Sequence, residues 1–406
     1  MNPWLQAPAT QGPLPAETDV LIVGGGIAGV ALAYYLAGEG VETTLIERAE
    51  LNREASGTNA GSMHLQIAIH QLIGDVASSA ARLREETRLA AEACELWKGW
   101  ATEIDPALEY HTTGGLMAAE TEADLQLLKD KQPLEAAAGL ETEVVQGAEL
   151  RALAPYLSDN VLGATWCPAE GHVDALIAVP LIAREAVKRG ATVRTGTAVT
   201  AIDRLGPDGG GPFRVRTSAG EVRARRLVDA AGAWAGELSK LAGLELPMTV
   251  QGLHVNVTEP RPRLLKPLIQ HIGRRLTLKQ AGNGTFIIGG GWPSRPEPEP
   301  RRYTTVWDSA AGNAAVATSV VPALSDVRLL RTWSGVIAWT ADVSPILGES
   351  SRAPGFYAIV AGSSGYTMSP LFARMLAEQM AAPAGAVTLP PEYSPDRAPA
   401  GSPAGA

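Results

Sequence analysis

The sequence predicts an α/β fold, α+β overall, in which a Rossmann-like parallel sheet is interleaved with an antiparallel-sheet domain. Strand-like and helix-like patterns alternate at the start of the chain, around residues 160–235 and near the C-terminus. This alternation is typical of a doubly wound domain to which the chain returns several times. Between about residues 245 and 340, β-branched runs are instead broken by Gly and Asn-Gly turns, which predicts antiparallel strands.

The composition indicates an enzyme-sized protein and argues against several other classes. The chain has 406 residues, 46% of them apolar and 19% charged, and can therefore bury a large core. A net charge of −9 disfavours nucleic acid or an anionic membrane surface as the main partner. The two cysteines, Cys94 and Cys167, lie outside any CxxC pattern, so we expect no disulfide framework and a cytoplasmic location. We also expect no metal site, no secretory signal and no membrane span.

The first element is a strand, glycine turn, helix and strand within "DVLIVGGGIAGVALAYYLAGEGVETTLIER", residues 19–48. The apolar run Val20–Val23 predicts a parallel strand that is covered on both faces. A GxGxxG motif follows, formed by Gly24, Gly26 and Gly29. The helix that begins near Ile27 would direct its positive end at a pyrophosphate, and Glu47 would accept hydrogen bonds from ribose hydroxyls. The unit therefore predicts an adenine dinucleotide other than NADP, with NAD and FAD equally possible at this point.

The second element is a polar loop of small residues, "REASGTNAGSMHLQ", at residues 53–66. Together with the glycine motif it resembles the family of FAD-dependent D-amino acid and glycine oxidases, sarcosine oxidases and related amine dehydrogenases. In that family a Ser-x-x-Asn-[Ala/Gly]-Gly loop follows the second strand and lies along the flavin. Three further motifs occur in the family's order: "EGHVDALIAVPLIAREAVKRGATVRTGTAVTAI" (170–202), "VDAAGAWAGEL" (228–238) and "GFYAIVAGSSGYTMSPLFARMLAEQM" (355–380).

The resemblance covers about residues 18–385 and implies FAD as the cofactor, held without a covalent bond because both cysteines precede residue 170. It implies that Val199 contacts the adenine and that a turn at Gly365 lies under the pyrimidine end of the flavin. A helix N-terminus there would stabilise the anionic reduced form. The full set of implied cofactor contacts is Gly24, Gly26, Ile27, Ala28, Gly29, Glu47, Arg48, Ser56, Asn59, Ala60, Gly61, Ser62, Met63, Val199, Ala231, Gly232, Trp234, Gly335, Ser364, Gly365, Tyr366, Thr367 and Met368.

The activity that the resemblance implies is oxidation of the C–N bond of an amine or amino acid to an imine, by hydride transfer to flavin N5. Such a reaction needs orientation and a neutral amine more than a protein acid, so few side chains should be obligatory. The candidate catalytic residues are His64, Tyr366 and His254, although a structural role for either histidine stays open. The predicted substrate contacts are Met63, His64, Gln66, His254, Ile337 and Trp339.

One segment, "WSGVIAWTADVSPILG" at 333–348, departs from the pattern of many family members. Those members have an arginine that clamps the substrate carboxylate at the position where this chain has Ile337. The departure argues against glycine, sarcosine or D-alanine as substrates and favours larger or secondary amines. The segment is closer to the opine oxidase, hydrogen cyanide synthase and hydroxyproline dehydrogenase branch. That branch implies small iron–sulfur partner subunits, with a homo-oligomer as the alternative.

The predicted domains are discontinuous. The FAD-binding domain takes residues 18–85, 145–240 and 340–385, the substrate domain takes 86–144 and 241–339, and 1–17 and 393–406 are flexible tails. Two alternative functions stay open, an NAD-linked dehydrogenase and a non-catalytic flavin-holding subunit of a hetero-oligomer.

Overall fold

The structure is a computed structural model that describes residues 12–68, 71, 76–206, 211–298, 302–362, 365–383 and 385–397. Its α-helices are α1 (Ile27–Gly38), α2 (Ala55–Thr58), α3 (Val76–Glu103), α4 (Glu122–Ala137), α5 (Gly147–Leu153), α6 (Ala175–Lys188), α7 (Ala235–Leu241), α8 (Trp307–Val320) and α9 (Gly365–Ala381). Short 3-10 helices lie at Pro106–Leu108, Gly232–Trp234, Pro322–Leu324 and Pro391–Tyr393.

The strands are β1 (Glu17–Val23), β2 (Thr43–Ile46), β3 (Ser62–Met63), β4 (His111–Thr112), β5 (Gly115–Ala119), β6 (Glu143–Gln146), β7 (Gly163–Cys167), β8 (Gly171–His172), β9 (Thr192–Arg194), β10 (Val199–Arg204), β11 (Phe213–Thr217), β12 (Gly220–Asp229), β13 (Thr249–Thr258), β14 (Leu268–His271), β15 (Thr277–Gln280), β16 (Phe286–Gly289), β17 (Arg295–Pro296), β18 (Tyr303–Thr304), β19 (Leu329–Trp339), β20 (Ile346–Glu349) and β21 (Phe356–Val360). None of the helices in the described part of the chain combines the length and the apolar composition that a membrane crossing requires.

The first large sheet has the predicted Rossmann-like arrangement. Its strand order is β10-β11-β12-β1-β2-β9, and β21 pairs with β12 while β20 pairs with β21. The central strands β12, β1, β2 and β9 run parallel, as does β21 beside β12. Alternate residues of β1 enter the cores on the two sides of the sheet, Val20 and Ile22 on one side and Leu21 and Val23 on the other. Burial on both faces explains the uninterrupted apolar run.

Helix α1 is apolar on every side because it is buried on every side. It packs on the first sheet and against α6 and α9, and nine of its twelve residues are buried. Such a helix is held by its packing and not by an amphipathic stripe. This packing fixes the N-terminus of α1 at the carboxyl end of β1, which is where open parallel sheets place their ligand crevices.

The second large sheet is antiparallel apart from one pair of strands. Its order is β19-β13-β16-β15-β14-β5-β7-β6, and only the pairing of β14 with β5 is parallel among its described strands. One face carries residues such as Leu278 and Ile288 and packs on α8. The other face carries Trp333, whose indole N–H donates to the Thr58 carbonyl at 2.7 Å. This second face therefore covers the loop that follows β2.

The structure differs from the predicted domain boundaries in two places, and the division into domains stays a prediction. The predicted FAD-binding domain includes residues 145–167, but β6 pairs with β7 and β7 pairs with β5 in the second sheet. The predicted substrate domain begins at residue 86, but α3 packs against the first sheet's helices. The ring of Trp100 lies 5.5 Å from that of Tyr34 in α1. Aromatic contacts between distant segments explain this second difference.

Residues 393–397 make specific contacts, in contrast to the prediction that they belong to a flexible tail. Tyr393 is only 6% exposed and packs edge-on against Phe372. Arg397 donates to the Asp342 carboxylate at 2.8 Å. An aromatic side chain and a paired guanidinium therefore anchor this part of the segment to the first sheet's side of the molecule.

Candidate functional site

A cavity of about 530 Å³ lies at the carboxyl end of β1. The glycine turn and the start of α1 form one wall, and the segment between Glu47 and Asn59 forms a second. Residues 197–199, the turn after β12, α7, the end of β21 and the start of α9 contribute further residues from the side of the first sheet. Val336, Ile337 and Ala338 of β19 close the cavity from the second sheet. The cavity thus lies where the two large sheets meet.

The glycine turn is built so that the backbone itself forms the cavity wall. Gly24 has φ +124°, and a Cβ added to it would lie 2.3 Å from the Ala230 carbonyl oxygen. A Cβ on Gly29 would lie 2.1 Å from the Gly24 carbonyl oxygen. Neither position tolerates a side chain, so the tight turn and the close helix–strand packing both require glycine. The start of α1 therefore lies beside the cavity, where the positive end of the helix suits a pyrophosphate.

Glu47 lies at the end of β2 and is held by two backbone donors. Its Oε2 accepts from Gly25 N at 2.8 Å and its Oε1 accepts from Ala49 N at 2.9 Å. A carboxylate has about four lone-pair sites, so two are left for ribose hydroxyls. The neighbouring Arg48 guanidinium lies 3.9 Å from the centroid of the Trp234 ring, and both residues line the cavity.

The turn after β12 is fixed by a buried carboxyl group that none of the sequence predictions includes. Asp229 is fully buried, and its two oxygens accept from Ala231 N at 3.0 Å and from Ser239 Oγ at 2.8 Å. Burial raises the pKa of Asp229 to about 7. Its sequence signal is an acidic residue at the end of an apolar strand, directly before the small residues of the turn.

Tyr366 lines the cavity from the first turn of α9. Its ring stacks on Trp97 of α3 with 5.4 Å between the centroids, and Trp97 Nε1 donates to the Thr367 carbonyl at 3.0 Å. The Tyr366 hydroxyl is buried without a partner among the described residues, and burial raises its pKa. Trp97 therefore positions the turn. No sequence motif marks this role of Trp97, and the sequence prediction places Trp97 in the substrate domain, which begins at residue 86.

The site's geometry agrees with the family to which the sequence is matched. The model of the FAD dependent oxidoreductase family matches residues 19–379. The chain belongs to this family. FAD is its cofactor, and the preference for FAD over NAD, drawn from the four motifs, is confirmed. The glycine turn and the start of α1 fit the pyrophosphate of that group, and Glu47 fits its ribose.

Curated relatives and solved structures agree with the family. The chain is 29% identical to one subunit of the opine oxidase of Agrobacterium tumefaciens (strain Ach5), over 90% of this chain and 94% of the relative. It is 26% identical to glycine oxidase of Bacillus subtilis (strain 168), over 82% of this chain and 85% of the relative. The L-proline dehydrogenase of P. horikoshii has the same fold, with a TM-score of 0.82 and 24% identity over 94% of this chain and 98% of that one.

The cavity brings together most, but not all, of the residues expected to contact FAD. Those that line it are Gly24, Gly26, Ile27, Ala28, Glu47, Arg48, Ser56, Asn59, Val199, Ala231, Gly232, Trp234, Gly365 and Tyr366. Those outside its lining are Gly29, Ala60, Gly61, Ser62, Met63, Gly335, Thr367 and Met368. Ser364 lies outside the described residues. Met63 and Met368 are outside the lining because they are buried in the core beneath it.

Residues 53–66, which include α2 and which we call the FAD loop, are held by a hydrogen bond to α1 and by a crossing with the backbone at Val173. Ser56 Oγ accepts from Ile27 N at 2.9 Å, which joins the loop to the start of α1. Gly61 has φ +68°, and its carbonyl accepts from Val173 N at 2.9 Å. A Cβ on Gly61 would lie 2.4 Å from the Val173 carbonyl oxygen, so this crossing of two backbones requires glycine. The structure thus gives Gly61 a packing role.

Ile337 and His64, both predicted substrate contacts, lie in different surroundings. Ile337 lines the cavity. His64 is half-buried outside the cavity lining, and its Nδ1 has no partner among the described residues. Burial and the positive charge of Lys279 lower the pKa of His64 to about 4, so its ring is neutral at physiological pH. Both remain candidates for substrate contact.

Gln66 does not face the cavity, in contrast to the prediction. Its Oε1 accepts from Thr165 Oγ1 at 2.6 Å and from Lys131 Nζ at 3.1 Å, while its Nε2 donates to Glu170 at 3.2 Å. The backbone N–H groups of Leu65 and Gln66 also donate to Glu170. A buried polar side chain needs such partners, and Gln66 uses its own to anchor the loop that carries His64.

His254 lies on the wrong face of the second sheet for substrate contact. It shares its face with Asn256, which donates to the Ala310 carbonyl of α8 at 3.1 Å. Its Nδ1 is bonded to Thr332 Oγ1 at 2.9 Å, and burial lowers its pKa. Because side chains alternate along β13, His254 projects from one face of the sheet and Trp333 projects from the other, which covers the FAD loop. The predicted catalytic role of His254 therefore lacks structural support.

Trp339 and Met63 are two further predicted substrate contacts that do not line the cavity. Trp339 is half-buried at the end of β19, and Met63 is fully buried in the core. Within the described ranges, no group of three or more His, Cys, Asp and Glu side chains is placed to hold a metal ion.

Proposed function

We propose that this FAD-dependent oxidoreductase oxidises the C–N bond of a secondary amine, a D-amino acid or an opine-like compound to an imine. The observation that carries the proposal is the composition of the cavity lining. Ile337 and Tyr366 both line the cavity, and burial raises the pKa of Tyr366, so one of these residues is apolar and the other is uncharged. The names of two relatives, an opine oxidase and a glycine oxidase, support the same substrate class.

The chain's own residues favour the uncharged form of an amine. When bound, FAD supplies the two-electron acceptor. Ile337 and Tyr366, whose pKa burial raises, carry no charge, so these two lining residues offer an ammonium ion no counter-charge. Ile337 offers no hydrogen bond, so it excludes water without fixing a charged group. A neutral amine that gives up its C–H electrons needs no protein base, only orientation against the cofactor.

The test is anaerobic loss of flavin absorbance with a panel of amines. Bulkier N-substituted amino acids and secondary amines should reduce the enzyme faster than glycine, sarcosine and D-alanine, because Ile337 cannot pair with a small carboxylate. In Ile337→Arg the rate with the three small acids should rise at least tenfold, and Ile337→Leu is the matched control. Wild-type enzyme that turns over the three small acids efficiently would contradict the substrate preference. Flavin that no amine bleaches would contradict the amine activity itself.

We also propose that FAD is held without a covalent bond. Cys94 and Cys167 are both buried and neither lines the cavity. Burial raises the pKa of each thiol to about 12, so neither is a ready nucleophile. Acid precipitation should release all of the yellow colour into the supernatant, and a yellow pellet would overturn the proposal.

A further proposal is that the chain acts in the cytoplasm as part of a larger enzyme, with a small iron–sulfur partner or with copies of itself. The support is the relative from Agrobacterium tumefaciens, whose name makes it one subunit of an opine oxidase. Measuring the mass of the native complex, with iron and sulfide analysis, distinguishes the two assemblies. A monomer without iron would exclude both.

A further inference from the structure

We propose that Lys279 is an electrostatic residue of the FAD site, whose positive charge stabilises the cofactor's negatively charged, two-electron-reduced form. It is absent from the set of residues that the sequence motifs indicate. The inference concerns electron acceptance and does not depend on which amine is the substrate.

The position of Lys279 is set by the register of the second sheet. Lys279 in β15 is opposite Ile287 in β16, and Ile287 is opposite Val257 in β13. Val257 lies two residues from Val255, which is opposite Trp333 in β19. Directly opposed residues in antiparallel strands share a face. Lys279 therefore projects from the same face as Trp333, the face that covers the FAD loop.

Two contacts bring this face onto the loop. Trp333 reaches the Thr58 carbonyl, and Lys279 reaches the crossing of Gly61 with Val173. Lys279 Nζ donates to the Val173 carbonyl at 3.2 Å and would lie 3.3 Å from a Cβ on Gly61. The ammonium group therefore lies directly behind the backbone of the segment that resembles the family's flavin loop.

Lys279 is buried without a counter-ion. Its residue surface is 4% exposed, and in the described part of the chain no carboxylate lies within 4.0 Å of its ammonium group. The charged groups that act on it from neighbouring elements are Asp174 and Glu109, which favour its protonated form. Burial has the larger effect and lowers the pKa of Lys279 to about 8. Most of the charge thus persists at neutral pH.

An unpaired buried cation is costly, and a nearby group that gains negative charge offsets that cost. Reduction of FAD by two electrons, with uptake of one proton, adds one negative charge to the cofactor. The field of Lys279 acts at low dielectric and through a single loop, so it favours the reduced form over the oxidised form. The same field also contributes to the lowered pKa of His64 and of His172.

The test is the reduction potential of the holoenzyme, measured at pH 7 by equilibration with a reference dye and no amine present. Lys279→Met should lower the ratio of reduced to oxidised FAD at a given dye ratio at least tenfold, or about 30 mV for a two-electron couple. Lys279→Arg keeps the charge and should stay close to wild type. Lys129→Met, at an exposed lysine of α4, is the control and should leave the potential unchanged.

Lys279→Gln keeps a donor for the Val173 carbonyl and serves as the second neutral variant, should Lys279→Met fail to bind FAD. A wild-type potential in either neutral variant overturns the proposal, as does an equally lowered potential in Lys279→Arg. Because no amine is used, a failure of the proposed amine activity cannot be mistaken for a failure here.

Discussion

Two buried lysines support the same loop of the molecule, yet their surroundings are opposite. Lys131 in α4 is 1% exposed, lies 2.6 Å from Glu135 and also donates to Gln66. Lys279 in β15 is 4% exposed and has one carbonyl as its hydrogen-bond partner among the described residues. The first lies below the loop at Leu65–Ile67, and the second lies behind Gly61. A satisfied buried charge indicates a structural role, whereas an unsatisfied one indicates a role toward something that binds.

Nearly every polar side-chain atom in the network around Lys131 has a hydrogen-bond partner. Glu135 accepts from Lys131, from Ile67 N at 2.9 Å and from Thr142 Oγ1 at 2.8 Å. Glu170, whose pKa is raised by burial, accepts from the next residues of the loop. These contacts hold the loop between Met63 and Ala68 in one conformation. They place His64 without themselves reaching the cavity.

The largest expected effect comes from breaking the satisfied pair. Lys131→Met leaves Glu135 charged and buried, and should lower the free energy of unfolding of the holoenzyme by about 3–5 kcal/mol in a urea titration. The double variant Lys131→Met/Glu135→Leu should recover a large part of the loss, since no buried charge is left alone. Lys129→Met on the same helix is exposed and should change stability by at most about 0.5 kcal/mol. A single variant as stable as wild type would show that the network is not structural.

Glu47 is an intermediate case, a half-buried charge that the protein satisfies only in part. Two backbone N–H groups hold its carboxylate, and the residue lines the cavity. Glu47→Ala should weaken FAD binding by about 2–3 kcal/mol, the loss of a charge-assisted pair of bonds, which a fluorescence titration of apoprotein with FAD measures. Glu42→Ala, in the turn before β2, should bind FAD like wild type. Equal affinities for both variants would remove Glu47 from the site.

The loss of the Lys279 proton should give a smaller effect. As the pH rises, the difference between wild type and Lys279→Met in the ratio of reduced to oxidised FAD should shrink by up to about tenfold per pH unit. Burial in the protein lowers the pKa of Lys279 to about 8, and a negative charge on the cofactor would raise it. Below pH 8 the difference in potential between wild type and Lys279→Met should be constant. Above pH 8 it should shrink as Lys279 loses its proton, while His64 and His172, with pKa values of about 4 and 3, stay neutral throughout. A difference that is constant from pH 7 to 10 would show that the charge of Lys279 is not involved.

Local sequence signals predict the Rossmann-side wall of the cavity well, since backbone geometry produces it. Gly24, Glu47 and the start of α1 form one contiguous unit whose function depends on spacing alone. The substrate side is predicted less well because it depends on which residues distant strands bring to one face. Side chains alternate along each strand, and this alternation turns His254 of β13 away from the FAD loop and Lys279 of β15 toward it. Which residues face the loop cannot be assigned before the register of the sheet is known.

The smallest expected effect concerns stability, where Lys279→Met and Lys131→Met should change the free energy of unfolding in opposite directions. Lys279→Met removes an unpaired buried cation, at the cost of one hydrogen bond to the Val173 carbonyl, and should raise the unfolding free energy at pH 7 by about 1 kcal/mol. The pKa of Lys279 is about 8 in the folded state and lies below its ordinary value of 10.5, so the unfolded chain binds more protons between these values. The penalty is therefore fully present below pH 8 and fades as the pH rises toward 10.5. Urea titrations at pH 7 and pH 10 should show the variant more stable at the lower pH and less so, or not at all, at the higher. A variant that is destabilised like Lys131→Met would mean that Lys279 is held by partners as a structural charge.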